Sequence, residues 1–427
     1  MEKIRILQLS DIHWLDKPEL ADAYRDIRDA LLDDINNICK SEENKFDRIF
    51  ICGDIAFSGQ TDEYERAEEF IKKLCELTGN NKSTVSVVPG NHDKYFEHEH
   101  KTLREFFHNH LIDEKKPDEL WLKMLREEFA LVKILYEPFK NYGEFSFKYN
   151  SQEPAILNLS DQSKKEYKEE EYAPYWEDDI KQTLEGYKVK VYGFNSALMS
   201  DYFDWDDTNV RKNSHKMFLP QLAYHAGTER AGIINIMLCH HPLEYINDDA
   251  AIRKDLDKRY HVQLYGHVHK SVSNTENNAV HIFSGSLQPG KSEATDYKPV
   301  YNIIELSVTK VSKGKDILNV SLNVFFWDGD DFKKNQNESK ILCVELKSRM
   351  KTTKDSPMQI IDALPDGITK RDIRNMFIDT PCKNKIVDKL YFEFYRTDIS
   401  EYKMNQLFLE RVRQDDKWMS LYNELKK

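Results

Sequence analysis

Val85-Ser86-Val87-Val88-Pro89-Gly90-Asn91-His92-Asp93 is an apolar run that stops in an amide, an imidazole and a carboxylate. A buried strand ordinarily ends in a plain turn. Here three consecutive side chains can bind metal, move protons or fix a neighbour. The same event recurs upstream. Residues 4–9 form a short apolar run that ends at Ser10-Asp11-Ile12-His13, and residues 48–52 form another that ends at Gly53-Asp54. Between them Tyr24, Ile27, Leu31, Ile35 and Ile38 recur at helical spacing, and Tyr64, Ala67, Phe70 and Leu74 do so before the third run. Strand, helix, strand, helix, strand predicts a largely parallel α/β sheet, and in such sheets ligands gather beyond the carboxyl ends of the strands.

Downstream, strand signals resume at 188–194, where Val189, Val191 and Gly193 alternate with Lys188, Lys190 and Tyr192. A run at 233–239 ends at His240-His241-Pro242, and one at 262–265 ends at Gly266-His267-Val268-His269. Runs at 280–283, 301–308 and 317–326 follow without a long helix, and are expected to add antiparallel members to a second sheet. Residues 94–140 read as a charged, helical, variable insert whose His98, His100, His108 and His110 lie on the surface. The stretch 161–180 reads as a solvated loop or helix over the sheet. The acidic and aromatic stretch 201–207 either lines the site or forms an exposed loop. From about residue 350 a polar, linker-like stretch gives way to four helical patterns near 368–378, 383–396, 401–412 and 415–425, with no acid, base or metal cluster among them.

Net charge is −12, against a protein that coats nucleic acid electrostatically. The charge is uneven: residues 351–427 hold 15 Lys/Arg against 13 Asp/Glu, so the acidity lies in the first 350 residues. No apolar run approaches the ~20 residues needed to span a bilayer. Residues 1–10 read as a strand, not a secretion signal, so a soluble, cytoplasmic protein without membrane partners is expected. Cys39, Cys52, Cys75, Cys239, Cys343 and Cys382 show no zinc-ribbon spacing and read as buried reduced thiols.

Each strand-end side chain alone is a weak signal. Their order is specific: D-x-H, G-D, G-N-H-D, H, then G-H-x-H, each closing a run. Over roughly residues 4–290 this resembles the calcineurin-like metallophosphoesterases, in particular their bacterial phosphodiesterase-like group. The resemblance implies a four-layer α/β/β/α sandwich with two metal ions at the strand ends. Asp11, His13 and His269 would bind the first ion, and Asn91, His240 and His267 the second. Asp54 would bridge both, and His92 would face the scissile phosphate. His240 is preferred to His241 because the first histidine of His-His-Pro matches the family's ligand position. Asp93 either holds His92 in a catalytic orientation or caps a turn. The implied domains are a catalytic domain over 1–350, with inserts at about 94–140 and 195–232, a linker at 351–366, and a helical C-terminal domain at 367–427.

The chemistry of the residues agrees. Two divalent ions ~3.5–4 Å apart clamp a phosphoryl oxygen and generate hydroxide at neutral pH, and a carboxylate is suited to bridge them. Mixed nitrogen and oxygen ligands suit manganese, iron, zinc and cobalt alike, and the ligand types do not choose among them; two divalent ions are expected, with manganese as the first candidate and iron, zinc or cobalt as the others. Two subfamily features are missing. Gly53-Asp54-Ile55-Ala56-Phe57-Ser58-Gly59 lacks the arginine of the G-D-x-x-D-R-G block of protein serine/threonine phosphatases. Phe57 stands where purple acid phosphatases place a tyrosine. The expectation is a phosphodiesterase for a small or cyclic-nucleotide substrate, acting through a metal-bridging hydroxide. The alternatives are a DNA or RNA nuclease of the same superfamily, docked through Lys383, Lys385, Lys389, Arg411 and Arg413, or an effector recruited to a protein partner through the helical domain.

Overall fold

The protein was analysed as a computed structural model. It describes residues 2–14, 24–41, 45–96, 117–127, 129–149, 174–200, 216–247, 249–288, 298–311 and 314–347, short pieces between these, and parts of 364–426. The expectations for His98, His100, His108, His110, for 201–207, for Cys382 and for the linker at 351–357 fall outside the described residues. The chain divides into two units, Met1–Arg349 and Met350–Lys427.

Thirteen strands of the first unit are described. They are β1 (Lys3–Leu9), β2 (Arg48–Cys52), β3 (Val85–Val88), β4 (Tyr175–Leu184), β5 (Tyr187–Phe194), β6 (Ile233–Leu238) and β7 (Val262–Tyr265), then β8 (Val272–Glu276), β9 (Ala279–Phe283), β10 (Val300–Thr309), β11 (Ile317–Trp327), β12 (Phe332–Lys334) and β13 (Lys340–Glu345). One sheet runs β12-β11-β10-β1-β2-β3, with β13 also on β11; the other runs β4-β5-β6-β7-β9-β8. β1, β2 and β3 are parallel, as are β5, β6, β7 and β9.

Both faces of the central strands are apolar, as strands buried on two sides require. The side-chain period of two sorts them. Ile4 and Ile6 of β1, Phe50 and Cys52 of β2 and Val88 of β3 enter a core between the sheets, with Val189, Val191, Ile234, Ile236, Val262 and Leu264 opposite. Leu7, Leu9, Ile49, Ile51, Val85 and Val87 face the other way, into a core completed by helices Arg25–Ser41 and Thr61–Thr78. Helix Asp249–Arg259 covers the outer face of the second sheet, burying Ile252 and Leu256 beside Tyr192, Met237 and Tyr265. The result is four layers, helix, sheet, sheet, helix. At about 1.5–3 kcal/mol per large apolar side chain removed from water, the cores supply the main stabilising term. Trp176 pins the sheets together, its indole N–H donating to the Val87 carbonyl at 3.0 Å.

Four sequence expectations need correction. β10 and β11 are antiparallel as expected, but they extend the first sheet through β1, not the second, while β9 joins the second sheet parallel to β7. Part of the stretch read as a solvated loop is β4: Glu177 and Asp179 face solvent while Trp176 and Ile180 point inward, so charge density hid the alternation. The insert after the third strand is not peripheral, since Trp121, Tyr136 and Phe139 are fully buried in the helical core. Cys343 is exposed, whereas Cys52, Cys75 and Cys239 are buried free thiols.

The second unit contains helices Lys370–Asp379, Lys383–Leu390 and Trp418–Leu425. Ile373, Phe377, Val387, Phe408 and Leu421 are buried, and Phe377 packs on Phe408 at 4.6 Å. Among the described residues no helix is long and apolar enough to cross a membrane.

Candidate metal centre

The carboxyl ends of β1, β2 and β3 meet those of β6 and β7. The loops are laced by main-chain bonds: Asp11 N–H donates to Gly53 O (3.1 Å), His13 N–H to Asp54 O (2.9 Å) and Gly266 N–H to His240 O (3.0 Å). Close approach demands glycine at the turns. A Cβ at Gly53, where φ is +90°, would lie 2.4 Å from the His240 ring, and one at Gly90 would lie 2.1 Å from Asp54 Oδ1. Asp11, His13, Asp54, His267 and His269 themselves adopt positive φ, five of the eight described non-glycine residues that do so. Such backbone persists where surrounding structure over-determines it, characteristically at functional sites.

Asp54 lies at the middle. Its Oδ1 accepts the His92 main-chain N–H at 2.8 Å, and its Oδ2 lies 3.3 Å from His240 Nε2 and 3.9 Å from His13 Nε2. On one side Asp11 Oδ1 meets His269 Nε2 at 3.0 Å and His13 Nε2 at 3.8 Å. On the other, His240 Nε2 lies 3.2 Å from Asn91 Oδ1, and the His267 ring packs against His240 at 5.2 Å. Among the described residues, four overlapping groups could hold a metal ion: Asp11/His13/His269, His13/Asp54/His92, Asp11/Asp54/His240 and His240/His241/His267, with ligand atoms within 4.8 Å of one another in each.

Electrostatics bind these groups to one another. Burial opposes charge on Asp54, but His240, His92 and His13 outweigh it and hold the carboxyl well below its usual range. Burial likewise opposes charge on Asp11, and His269 overcomes it, bringing the group to about 2. Burial, then the neighbouring imidazoles, lower His13 and His267 to about 3. His240 is pushed up to about 9, because Asp54 and Asp11 prevail over burial. Carboxylates that stay ionised beside imidazoles suit a divalent cation, which requires deprotonated ligands. The fit has a second sign: both ring nitrogens of His13 are buried without a hydrogen-bond partner, and a cation would satisfy one of them.

All the ligands expected from the sequence, and His92, converge here. The His92 Nδ1–H donates to the Phe57 carbonyl at 2.7 Å, and its ring lies 4.6 Å from that of His13. Asp93 does not hold His92. Its carboxylate accepts the main-chain N–H groups of Ile55 (3.1 Å), Ala56 (2.9 Å) and Gly90 (2.9 Å) and the Tyr64 hydroxyl (3.0 Å). It therefore joins the loop after β2 to the loop after β3 from behind. Burial, then Asp54, pushes it up to about 7. The Asn195-Ser196-Ala197 loop after a strand also fits the family in sequence, but two supporting contacts emerge only from the structure: Ser196 lies 3.0 Å from His241 Nδ1, and buried Lys94 donates its ammonium to the carbonyls of Ala197 (3.3 Å), Leu198 (3.2 Å) and Ser200. The position of Lys94 beside Gly90-Asn91-His92-Asp93 was the only available signal for it.

With this geometry in hand, the family model described as calcineurin-like phosphoesterase matches residues 4–271. The chain belongs to the calcineurin-like phosphoesterase family. The chain is also 26% identical over 297 residues to the uncharacterized metallophosphoesterase-like protein YydB of Bacillus subtilis, covering 67% of this chain and 54% of that protein. The chain thus spans about half the length of that relative. Among solved structures it is similar to a conserved uncharacterized protein of Streptococcus pneumoniae described as a phosphoesterase (11% identity, 80% of this chain, 99% of that chain, TM-score 0.30). It is likewise similar to vacuolar protein sorting 29 of Cryptosporidium parvum (13% identity, 80% and 98%, TM-score 0.33). TM-scores this low mark distant likeness only.

Proposed function

We propose that the phosphoesterase is a dinuclear phosphodiesterase that hydrolyses a P–O bond of a small, nucleotide-type substrate. The observation that carries this reading is the pair of donor groups, Asp11/His13/His269 and Asn91/His240/His267, on either side of one carboxylate, Asp54. When bound, two divalent cations, manganese foremost, supply Lewis acidity and a nucleophile at neutral pH. The protein's part is positioning. Asp54 spans the two groups, and its Oδ1 fixes the His92 backbone. Phe57 O takes the Nδ1–H of His92 and so leaves Nε2 for the phosphate, where the imidazole would stabilise developing charge or pass a proton to the leaving oxygen.

A small substrate is favoured over nucleic acid by the acidic first 350 residues and by the helical unit's own contacts. Lys389 pairs with Glu424 at 2.8 Å, and Arg411 lies over the Tyr391 ring at 5.8 Å, so two of the basic residues considered for docking serve that unit internally. Purified protein loaded with manganese should hydrolyse bis-p-nitrophenyl phosphate faster than p-nitrophenyl phosphate. It should cleave members of a cyclic-nucleotide panel and leave labelled single- and double-stranded DNA intact. Preference for the monoester, or digestion of the DNA, would overturn the reading.

A further inference from the structure

His241 is the imidazole at the strand ends that the functional reading leaves without a task. It is fully buried. Its ring centroid lies 4.6 Å from that of His267 and 4.8 Å from that of His240. A ligand atom from each of the three falls within 4.8 Å of the others. Its Nε2 is buried and has no hydrogen-bond partner. An unpartnered ring nitrogen inside a protein carries its full desolvation cost, so its persistence asks for something that satisfies it.

One ring nitrogen of His241 is already engaged. The Cys239 thiol donates to the His241 carbonyl at 3.4 Å. The His241 main-chain N–H donates to the Ser196 hydroxyl oxygen at 3.0 Å, and that oxygen lies 3.0 Å from His241 Nδ1. A hydroxyl oxygen has two lone pairs and can accept from both; in that tautomer the proton rests on Nδ1 and Nε2 keeps its lone pair. His240 has the same arrangement, with its Nδ1–H on the Cys52 carbonyl at 2.8 Å. Imidazoles that bind metal characteristically have their second nitrogen fixed in this way. The seat of Ser196 is itself built. Asn195 Nδ2 donates to Glu153 Oε2 (3.1 Å), the Ala197 N–H donates to Asn195 Oδ1 (3.1 Å), and Lys94 clasps the carbonyls that follow.

We propose that His241 is an additional nitrogen ligand on the His240/His267 side of the metal centre, with Ser196 as the positioning residue that presents its Nε2. This rests on the metal-dependent phosphoesterase reading. Both histidines of His-His-Pro would then serve one ion, adding a third imidazole to the oxygens of Asn91 and Asp54.

The test is a Zn²⁺ titration of the full chain, labelled with ¹⁵N-histidine and followed by long-range ¹H–¹⁵N NMR of the imidazoles. Signals are assigned with His240→Gln, His241→Gln and His267→Gln. The His241 Nε2 resonance should shift together with those of His240 and His267. Ser196→Ala, which keeps the imidazole, should weaken that ion's binding by roughly 10-fold, read by equilibrium dialysis. Shifts of His240 and His267 with His241 unmoved would overturn the proposal while leaving the metal centre intact. No response from any histidine would overturn the metal-centre reading itself.

Discussion

The two sides of the metal centre are built by opposite means. Asp11, His13 and His269 are presented by strained backbone, all three at positive φ. The His13 ring has no hydrogen bond to hold it, and the His269 side chain is 19% exposed. His240 and His241 lie on ordinary backbone, fully buried, each with Nδ1 fixed by a bond, to Cys52 O and Ser196 Oγ. The first side is held by the main chain and reaches solvent at His269; on the second, the pair His240 and His241 is held through its side chains and closed off, while His267 shares the positive φ of the first side and is only partly buried. His92 stands beside His13 on the first side, and on the second the Nδ1 atoms of His240 and His241 are met by the protein's own oxygens.

Asp54→Ala removes the carboxylate between the sides and should cause the largest loss. Manganese-dependent hydrolysis of bis-p-nitrophenyl phosphate should fall at least ~10³-fold, the several kcal/mol of transition-state stabilisation a paired metal site supplies. Retention of a tenth of the activity would mean that each side works alone. His92→Ala should lower kcat by about 10²-fold while KM and bound metal stay near wild type, as expected of a group that meets only the reacting phosphate. Loss of metal in parallel with kcat would put His92 among the ligands and erase the distinction between sides.

Asp93→Ala tests the seam behind both. It strands the N–H groups of Ile55, Ala56 and Gly90 in a buried setting, so urea unfolding should show a loss of about 3 kcal/mol. A loss below 1 kcal/mol would mean that the loops do not depend on it. The mildest effect is expected at Glu153, which braces Asn195 behind the closed side. Burial pushes its carboxyl from an ordinary 4.5 up to about 8. Between those values the folded state holds a proton that the unfolded state has released. Stability therefore falls as pH rises from about 4.5 to 8, and levels off above. Glu153→Gln keeps an acceptor for Asn195 and cannot ionise. Its stability relative to wild type should grow across that window, by a few kcal/mol at most. Parallel stability curves from pH 5 to 8.5 would show that Glu153 does not titrate there.

Asp11, His13, His267 and His269, which belong to both sides, were legible in the sequence because they are local. Asp11 and His13, and His267 and His269, each flank a single residue at a strand end, and a short apolar run marks each end. The parallel core was legible for the same reason, since β1, β2 and β3 are unbroken apolar runs. The closed side was half legible. His240 announces itself by position, but the support of His241 comes from Ser196, which is 45 residues away in sequence. Such a contact exists only once β5 and β6 pair. The role of Asp93 stayed open between two readings because its partners, Ile55, Ala56, Gly90 and Tyr64, offer main-chain N–H groups and one hydroxyl, which no motif encodes. β4 was lost beneath its own charges. The sheet membership of β10 and β11 depends on which edge of which sheet is free, and strand patterns carry no record of that.

The left-handed residues at the strand ends also bear on how this protein would respond to selection. A non-glycine residue in that conformation costs on the order of 1–3 kcal/mol, and five of them converge here. Glycine or asparagine would sit there at less cost, so a library screened only for heat resistance should accumulate such replacements at Asp11, His13, Asp54, His267 and His269. The hardiest survivors of that screen would be the ones emptied of chemistry, and the positions at which they converge would outline the site without a single activity assay.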